Sequence, residues 1–480
     1  MNRIYALALA TLLCMGMFAG CASQSPVSAP DTPAPAADTP APVADTPAPA
    51  ADTPAPVADA PAPAGPNKVI NLWSFTDEVP KMVNRYKELH PDFAYDFNTT
   101  IIATTEGAYQ PALDQALSGG GGTQVPDMYC AESAFVLKYS QGDASDYAAA
   151  YKELGIDADN LLSAAQIAPY ASDIGTRPSD GQLVALPYQA TGGAFIYRRS
   201  LAKDTWGTDD PTAVKDKIGP GWNKFMQAAA ELKAKGYAIV SGDGDVWHPL
   251  ENNSEKGWIV DGKLYIDPGR EMFLDIAKQL KDNAYMNDTV DWQDPWFADM
   301  KDAGPQKVFG YFGPAWLINY VMAGNCGDTS GDWAVCEPPT GFSWGGTWVF
   351  ANVNGNPEVR DAVAEIIQWI TLDTSEEGLQ YFWANGTLNG PGGTKDTVAS
   401  GVVMSKSDGT LDFLGGQNMF DVFVPAGETA TGKNKTQYDE TINIYFRDQV
   451  RMYTSGEKTR DQAIADFKQM VADNLDVIVE

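Results

Sequence analysis

Histidine is nearly absent from these 480 residues, where only His90 and His248 occur. Proton transfer near neutral pH falls most often to histidine, so catalysis of that kind is poorly supplied. There is no H-E-x-x-H metal pair and no Cys/His spacing of a zinc site. Positive charge is scarce as well: 33 lysines and arginines stand against 63 aspartates and glutamates, a formal net charge of −30. A surface of that sign repels phosphate backbones, which argues against nucleic-acid binding. Beyond the N-terminus no apolar run approaches the length that spans a bilayer. The pair Asp243 and Asp245 is followed by no closing glutamate of a calcium loop, so turn chemistry explains it better. No cofactor, metal or catalytic residue is expected, although 63 acidic residues leave open a carboxylate pair of the glycoside-hydrolase kind.

The N-terminus carries one cation, Arg3, then an apolar run from Ile4 through Leu13 and small residues. This is the layout of a secretory signal peptide over residues 1–20, too short for a comfortable span. The tetrad Phe18-Ala19-Gly20-Cys21 resembles a bacterial lipobox, with Phe18 where leucine is usual. The resemblance implies lipidation of Cys21 and a membrane anchor on the extracytoplasmic face. Residues 21–66 then repeat a seven-residue unit beginning at Asp31, Asp38, Asp45, Asp52 and Asp59. Each unit holds prolines and no large apolar side chain, so the segment is expected to be disordered and core-less. At roughly 3 Å per residue in a polyproline-like conformation, such a stalk reaches at most on the order of 140 Å.

Removal of the signal and lipidation of Cys21 leave Cys130, Cys326 and Cys336. Export suits disulfides, and Cys326 and Cys336 bracket a Gly/Asp/Ser-rich loop, so they are expected to pair. Cys130 reads as a small buried hydrophobe.

From Asn67 to Glu480 the pattern alternates short apolar strands with amphipathic helices. Val69–Trp73 reads as a strand, Asp77–Leu89 as a helix, Phe93–Phe97 as a strand, Ala108–Leu117 as a helix and Asp127–Cys130 as a strand. That rhythm predicts an α/β fold built on a parallel sheet with crossover helices. Later helices are expected over Trp222–Lys235, Arg270–Asp282, Pro314–Met322, Pro357–Leu372 and Asp439–Tyr453, with strands at Tyr237–Ser241 and Lys307–Phe312.

Ligands of open α/β sheets sit beyond the carboxyl ends of the strands. Those positions hold Trp73, Phe75 and Asp77, then Glu132, then Tyr188 and Gln189, then Trp247 with His248, then Trp316, and finally Trp344. Sugars present flat C–H faces and a girdle of hydroxyls; indole and phenol rings cover the first, carboxylates and amides take the second. The material therefore suits a carbohydrate. Aromatic rings also suit a peptide, and the carboxylates suit a polyamine, so both remain open as ligands.

At these residues the chain resembles the extracellular solute-binding proteins of carbohydrate ABC transporters, the family that includes maltose-binding protein. The resemblance is carried by the opening strand with Trp73, by Pro126-Asp127, and by the stretch from Ala185 to Tyr188 followed by Phe195–Leu201. The run from Gly310 to Trp316, and Trp344 with Gly345 and Gly346 before a strand, complete it. Arg198 and Arg199 depart from the family's Tyr-Asn-Lys pattern. The resemblance implies a two-lobe periplasmic-binding-protein-like fold, each lobe a sheet flanked by helices, joined by crossover hinge strands. One lobe would comprise 67–188 plus 347–388, the other 189–346 plus 389–480. Trp73, Phe75, Asp77 and Glu132 would face Trp247, Trp316 and Trp344 across the cleft, with Tyr188 and Gln189 near the first crossover. It further implies a non-enzymatic, monomeric protein that closes around an oligosaccharide and docks on the permease subunits of an ABC importer.

Overall fold

In the computed structural model, residues 68–104, 107–119, 125–252, 254–430 and 432–480 are described. The expected signal peptide, Cys21 and the repeat stalk lie outside them. Lys68–Ser74 forms because its apolar residues alternate: Ile70, Leu72 and Ser74 are buried, while their neighbours are not. The helix Glu78–Leu89 answers it with Val79, Met82, Val83 and Tyr86, spaced along one face and all buried. Each such side chain contributes about 1.5–3 kcal/mol on leaving water.

The first sheet has five strands in the order Tyr95–Ile101, Lys68–Ser74, Met128–Glu132, Thr347–Ala351 and Ala185–Pro187. The first three pair in parallel, as the strand–helix rhythm predicts. The fourth does not. Thr347–Ala351 comes from far along the chain and runs antiparallel to both neighbours, placing Phe350 opposite Tyr129 and Val349 opposite Leu186. A wholly parallel sheet is thereby corrected to a mixed one.

The second sheet is antiparallel, with Ala194–Arg198 between Gly310–Gly313 and Trp333–Cys336. Its strands separate two cores by simple alternation. Phe195, Tyr197, Phe312, Ala334 and Cys336 face one cluster, which also holds Trp247, Trp258, Phe446 and Phe467. Ala194, Ile196, Tyr311, Trp333 and Val335 face the other, with Trp296, Leu317 and Phe420. A short parallel pair, Val240–Gly242 with Met286–Thr289, extends this half of the molecule. The structure is two-lobed, each lobe carrying its own sheet.

This alternation overturns the expected disulfide. Cys326 and Cys336 are both free and buried, as is Cys130. Cys336 points into the first of the two cores and Cys326 lies in the second, so the sheet stands between the thiols. Burial pushes the Cys326 thiol up from its ordinary value, and Cys336 further.

Two segments carry the chain between the sheets: 188–193 outward and 337–346 on the way back. They are tied to each other. The Trp344 amide donates to the Thr191 carbonyl at 3.0 Å, and the Gly193 amide to the Phe342 carbonyl at 2.9 Å. No helix among the described residues is long and apolar enough to cross a membrane.

Candidate ligand cleft

A cavity of about 670 Å³ opens beside these crossing segments. One wall comes from the first sheet and its loops: Phe75, Thr76, Glu78, Glu132, Ser133 and Ala134. The other comes from the second half: Trp247, His248, Glu251, Asp291, Trp292, Trp316 and Tyr320, joined by Asp439, Glu440, Asn443, Ile444 and Arg447 of the helix Asp439–Thr454. Gln189 and the run 343–347 form its floor.

The aromatic wall is built in steps. The rings of Trp316 and Trp344 meet edge to face with centroids 4.7 Å apart. The Trp316 indole Nε1–H donates to the Trp344 carbonyl at 2.9 Å, which fixes one ring against the backbone of the other. That approach requires Gly345, whose φ is +76° and where a Cβ would sit 3.0 Å from Trp316 Nε1. Trp292 lies nearly parallel to Trp316, centroids 6.2 Å apart, and edge-on to Trp344 at 6.0 Å. On the far side, His248 stacks on Trp344 at 4.4 Å.

Trp292 itself has φ of +68°, a left-handed conformation that costs a bulky residue energy and must be held from outside. Besides its ring contacts, one restraint is ionic. Its neighbour Asp291 is 2.7 Å from Arg447 and 3.3 Å from Arg451, and Arg451 is 3.4 Å from Asp243. Burial alone would raise the Asp291 carboxyl; the Arg447 and Arg451 charges outweigh it and hold it below its ordinary range. Gly244 leaves room for this pairing, since a Cβ there would lie 2.5 Å from Asp291 Oδ1 and 2.8 Å from Arg447 Nη2. Asp245 accepts the Ser241 and Gly242 amides and the Trp296 indole N–H, each at 2.9 Å. The Asp243–Asp245 turn is thus structural, as turn chemistry predicts. No group of three or more potential metal ligands occurs among the described residues.

Carboxylates surround the aromatic wall. Glu251 accepts from Asn443 at 2.8 Å and stands 3.5 Å from His248 Nδ1. Burial would raise its carboxyl, but the His248 hydrogen bond with the Lys435 and Arg270 charges hold it below the ordinary range. Glu132 ends its strand with Oε2 accepting the Ala134 amide at 2.9 Å. The enclosing protein pushes its carboxyl up to about 7, opposed by the Ala134 and Ser133 amides and by Lys435. Glu440, on the exposed side of its helix, is also pushed up to about 7, first by the surrounding protein and then by repulsion from Glu132 and Glu251.

Of the residues singled out from sequence, Phe75, Glu132, Gln189, Trp247, Trp316 and Trp344 line the cavity. Trp247 does so while packed in the core against Phe273 and Phe446, only 1% exposed. Three stand outside the lining. Trp73 packs beside Tyr129 under the first sheet. Asp77 points to solvent and pairs with Lys81 at 2.7 Å. Tyr188 is fully buried and donates to Glu78, itself a lining residue, at 2.5 Å. Sequence reasoning missed Trp292, Tyr320 and the polar face of Asp439–Thr454. Trp292 follows Asp291 just after a strand, so the strand-end rule would have found it had Met286–Thr289 been recognised as a strand.

The stretch Gly341–Gly345 has G-x-S-x-G spacing, and Ser343 lines the cavity with His248 and Glu251. It is no nucleophile elbow: the segment runs into a strand instead of turning from strand to helix, and no hydrogen bond joins Ser343 to His248 among the described residues.

Residues 73–377 match the family of bacterial extracellular solute-binding proteins. The chain belongs to that family. Its members work outside the cytoplasm as binding components of ABC transporters. No curated protein matches the sequence. The fold recurs in a solved extracellular solute-binding protein of family 1 (TM-score 0.69, 18% identity, 85% of this chain and 99% of that one covered). It recurs in the galacto-N-biose/lacto-N-biose I-binding protein of Bifidobacterium longum, solved with lacto-N-biose (TM-score 0.63, 16% identity, covering 87% and 100%). The sugar-binding protein MalE of Xanthomonas citri is a third such structure (TM-score 0.64, 14% identity, covering 85% and 97%).

Proposed function

We propose that this member of the family captures a carbohydrate, specifically an oligosaccharide, in the cleft and delivers it to the permease subunits of an ABC importer while anchored to the membrane through lipidated Cys21. The observation that carries the reading is the stepped wall of Trp316, Trp344 and Trp292 with carboxylates around it in an open cavity. Indole faces cover the C–H faces of a pyranose, and Glu132, Glu440, Gln189 and Asn443 supply acceptors and donors for its hydroxyls. The solved neighbours whose names mention sugars support the same ligand class. Lobe boundaries at 67–188 plus 347–388 and 189–346 plus 389–480 are part of this proposal, with the crossing segments 188–193 and 337–346 as two of the three hinges those boundaries imply. Binding to one lobe first and closing the other over the ligand would present the closed form to the permease. The protein acts as a monomer in this reading.

The test is a thermal-shift screen of the purified chain against mono- and oligosaccharides, with peptides and polyamines as controls. A ligand present at about a hundred times its dissociation constant adds roughly 2.7 kcal/mol, enough to move melting by some degrees. A selective shift with one sugar series is the expected result. Silence across the sugars and a shift with a polyamine that weakens with salt would overturn the carbohydrate assignment.

A further inference from the structure

The cavity continues past the tryptophan wall to its mouth, and the residue there is conspicuous for what it lacks. Tyr320 is 76% exposed and lines the cavity, and among the described residues it belongs to no hydrophobic cluster, pairs with no other ring and makes no hydrogen bond. It follows Trp316 by four residues in a π-helical stretch, Leu317–Met322. Residues so spaced lie on one helical face, with Cβ atoms on the order of 5–6 Å apart. Trp316 and Tyr320 are therefore successive aromatic surfaces running outward from the crossing segments. Trp292 adds a third, 45% exposed, beside Trp316. The Tyr320 phenol also lies within electrostatic reach of Lys81, which sits on the helix Glu78–Leu89 of the other wall, so the ring stands where the two walls approach.

A large exposed aromatic side chain with no protein partner, placed at the rim of a ligand cavity, marks a contact made only when the ligand is present. A monosaccharide seated on Trp316 and Trp344 would leave Trp292 and Tyr320 bare. A longer chain seated at the same place would reach both. Resting on the carbohydrate reading, we propose that the ligand is a linear saccharide of three or more rings, the inner rings held by Trp344, Trp316 and Trp292 and the outermost ring held at the cleft mouth by Tyr320. Tyr320 is on this account a specificity residue for ligand length, acting through its ring face. Its phenol adds a donor that reaches a hydroxyl of the same ring.

The experiment is titration calorimetry on the full chain with glucose, mannose and N-acetylglucosamine and the di- to pentasaccharides of their linear β-1,4 series and of the α-1,4-glucan series. In whichever series binds, affinity should rise from one ring through three and then level off. Tyr320→Ala should lower affinity for the trisaccharide by about five- to tenfold and leave that for the monosaccharide unchanged. Because Tyr320 has no hydrogen-bond or ring partner among the described residues, the unliganded melting temperature should stay where it is. A monosaccharide bound as tightly as its trimer would overturn the proposal while leaving the carbohydrate reading intact. Equal loss at every length in Tyr320→Ala would overturn it too. If no series binds, the carbohydrate reading falls and this inference falls with it.

Discussion

Asp291 and Arg447 face each other at 2.7 Å, and that ion pair fastens the loop bearing Trp292 to the helix Asp439–Thr454. It joins two parts of the wall far apart in sequence. With the ring contacts to Trp296, Trp316 and Trp344, it helps hold a tryptophan at φ of +68°.

Arg447→Met removes the closer cation from Asp291 and leaves Arg451 alone to serve both Asp291 and Asp243. We expect a loss of about 2 kcal/mol in denaturant unfolding, the scale of a charged hydrogen bond removed from a part-buried site. A change in near-ultraviolet circular dichroism should accompany it as the Trp292–Trp316 stacking is released. An unaltered aromatic spectrum would show that Trp292 does not depend on the pair.

The cleft carboxylates give the unliganded protein a distinctive pH dependence. Glu132 and Glu440 have an ordinary value of 4.5 and are pushed up to about 7 in the fold. Between those values the folded state binds more protons than the unfolded one, so their contribution is complete below 4.5 and is lost as pH rises through 7. Asp396 and Asp245, both pushed up to about 7 chiefly by burial, act in the same direction. Glu251 and Asp291, held low, act oppositely and withdraw their stability as the solution turns acidic. The melting temperature should fall from pH 5 toward pH 8, and Glu132→Gln should flatten that slope; a slope unchanged in the variant would remove Glu132 from the account.

Trp316→Ala takes away a stacking face and the hydrogen bond to the Trp344 carbonyl. Affinity for a bound saccharide should drop by about 2–4 kcal/mol, as for an anchor residue. Calorimetry giving the wild-type constant would place the ligand elsewhere in the cavity.

Among the described residues three thiols are buried and unpaired. Alkylation of the denatured but unreduced chain should therefore modify Cys130, Cys326 and Cys336, while the native protein leaves them untouched. Protection of Cys326 and Cys336 in unreduced, denatured protein would restore the disulfide.

The parts of the fold legible in the sequence are those governed by local periodicity. The helix expected at Asp77–Leu89 is found at Glu78–Leu89, and that at Trp222–Lys235 at Trp222–Ala234. The strand expected at Phe93–Phe97 lies at Tyr95–Ile101, because an edge strand half open to solvent carries little apolar pattern to mark its limits. Trp316 and Trp344 stand at strand ends, the positions that the sequence rule singles out, and both line the cavity. Trp73 and Tyr188 satisfy the same rule yet turn inward, since a strand end has two faces and sequence does not say which meets the cleft. The pairing of Thr347–Ala351 with strands some 160 to 220 residues earlier, and with it the union of the two walls, is a nonlocal property that no window of residues displays.

That pairing has a consequence for how the protein is made. The strand that completes the first sheet, lodged between Met128–Glu132 and Ala185–Pro187, is synthesised after the whole of the second sheet. Until residue 351 has emerged, the first sheet is split, with Ala185–Pro187 detached and the open edge of Met128–Glu132 unpaired. Closing so long a loop comes late and slowly. A nascent chain of this design therefore carries an unfinished first sheet until most of its length has been made.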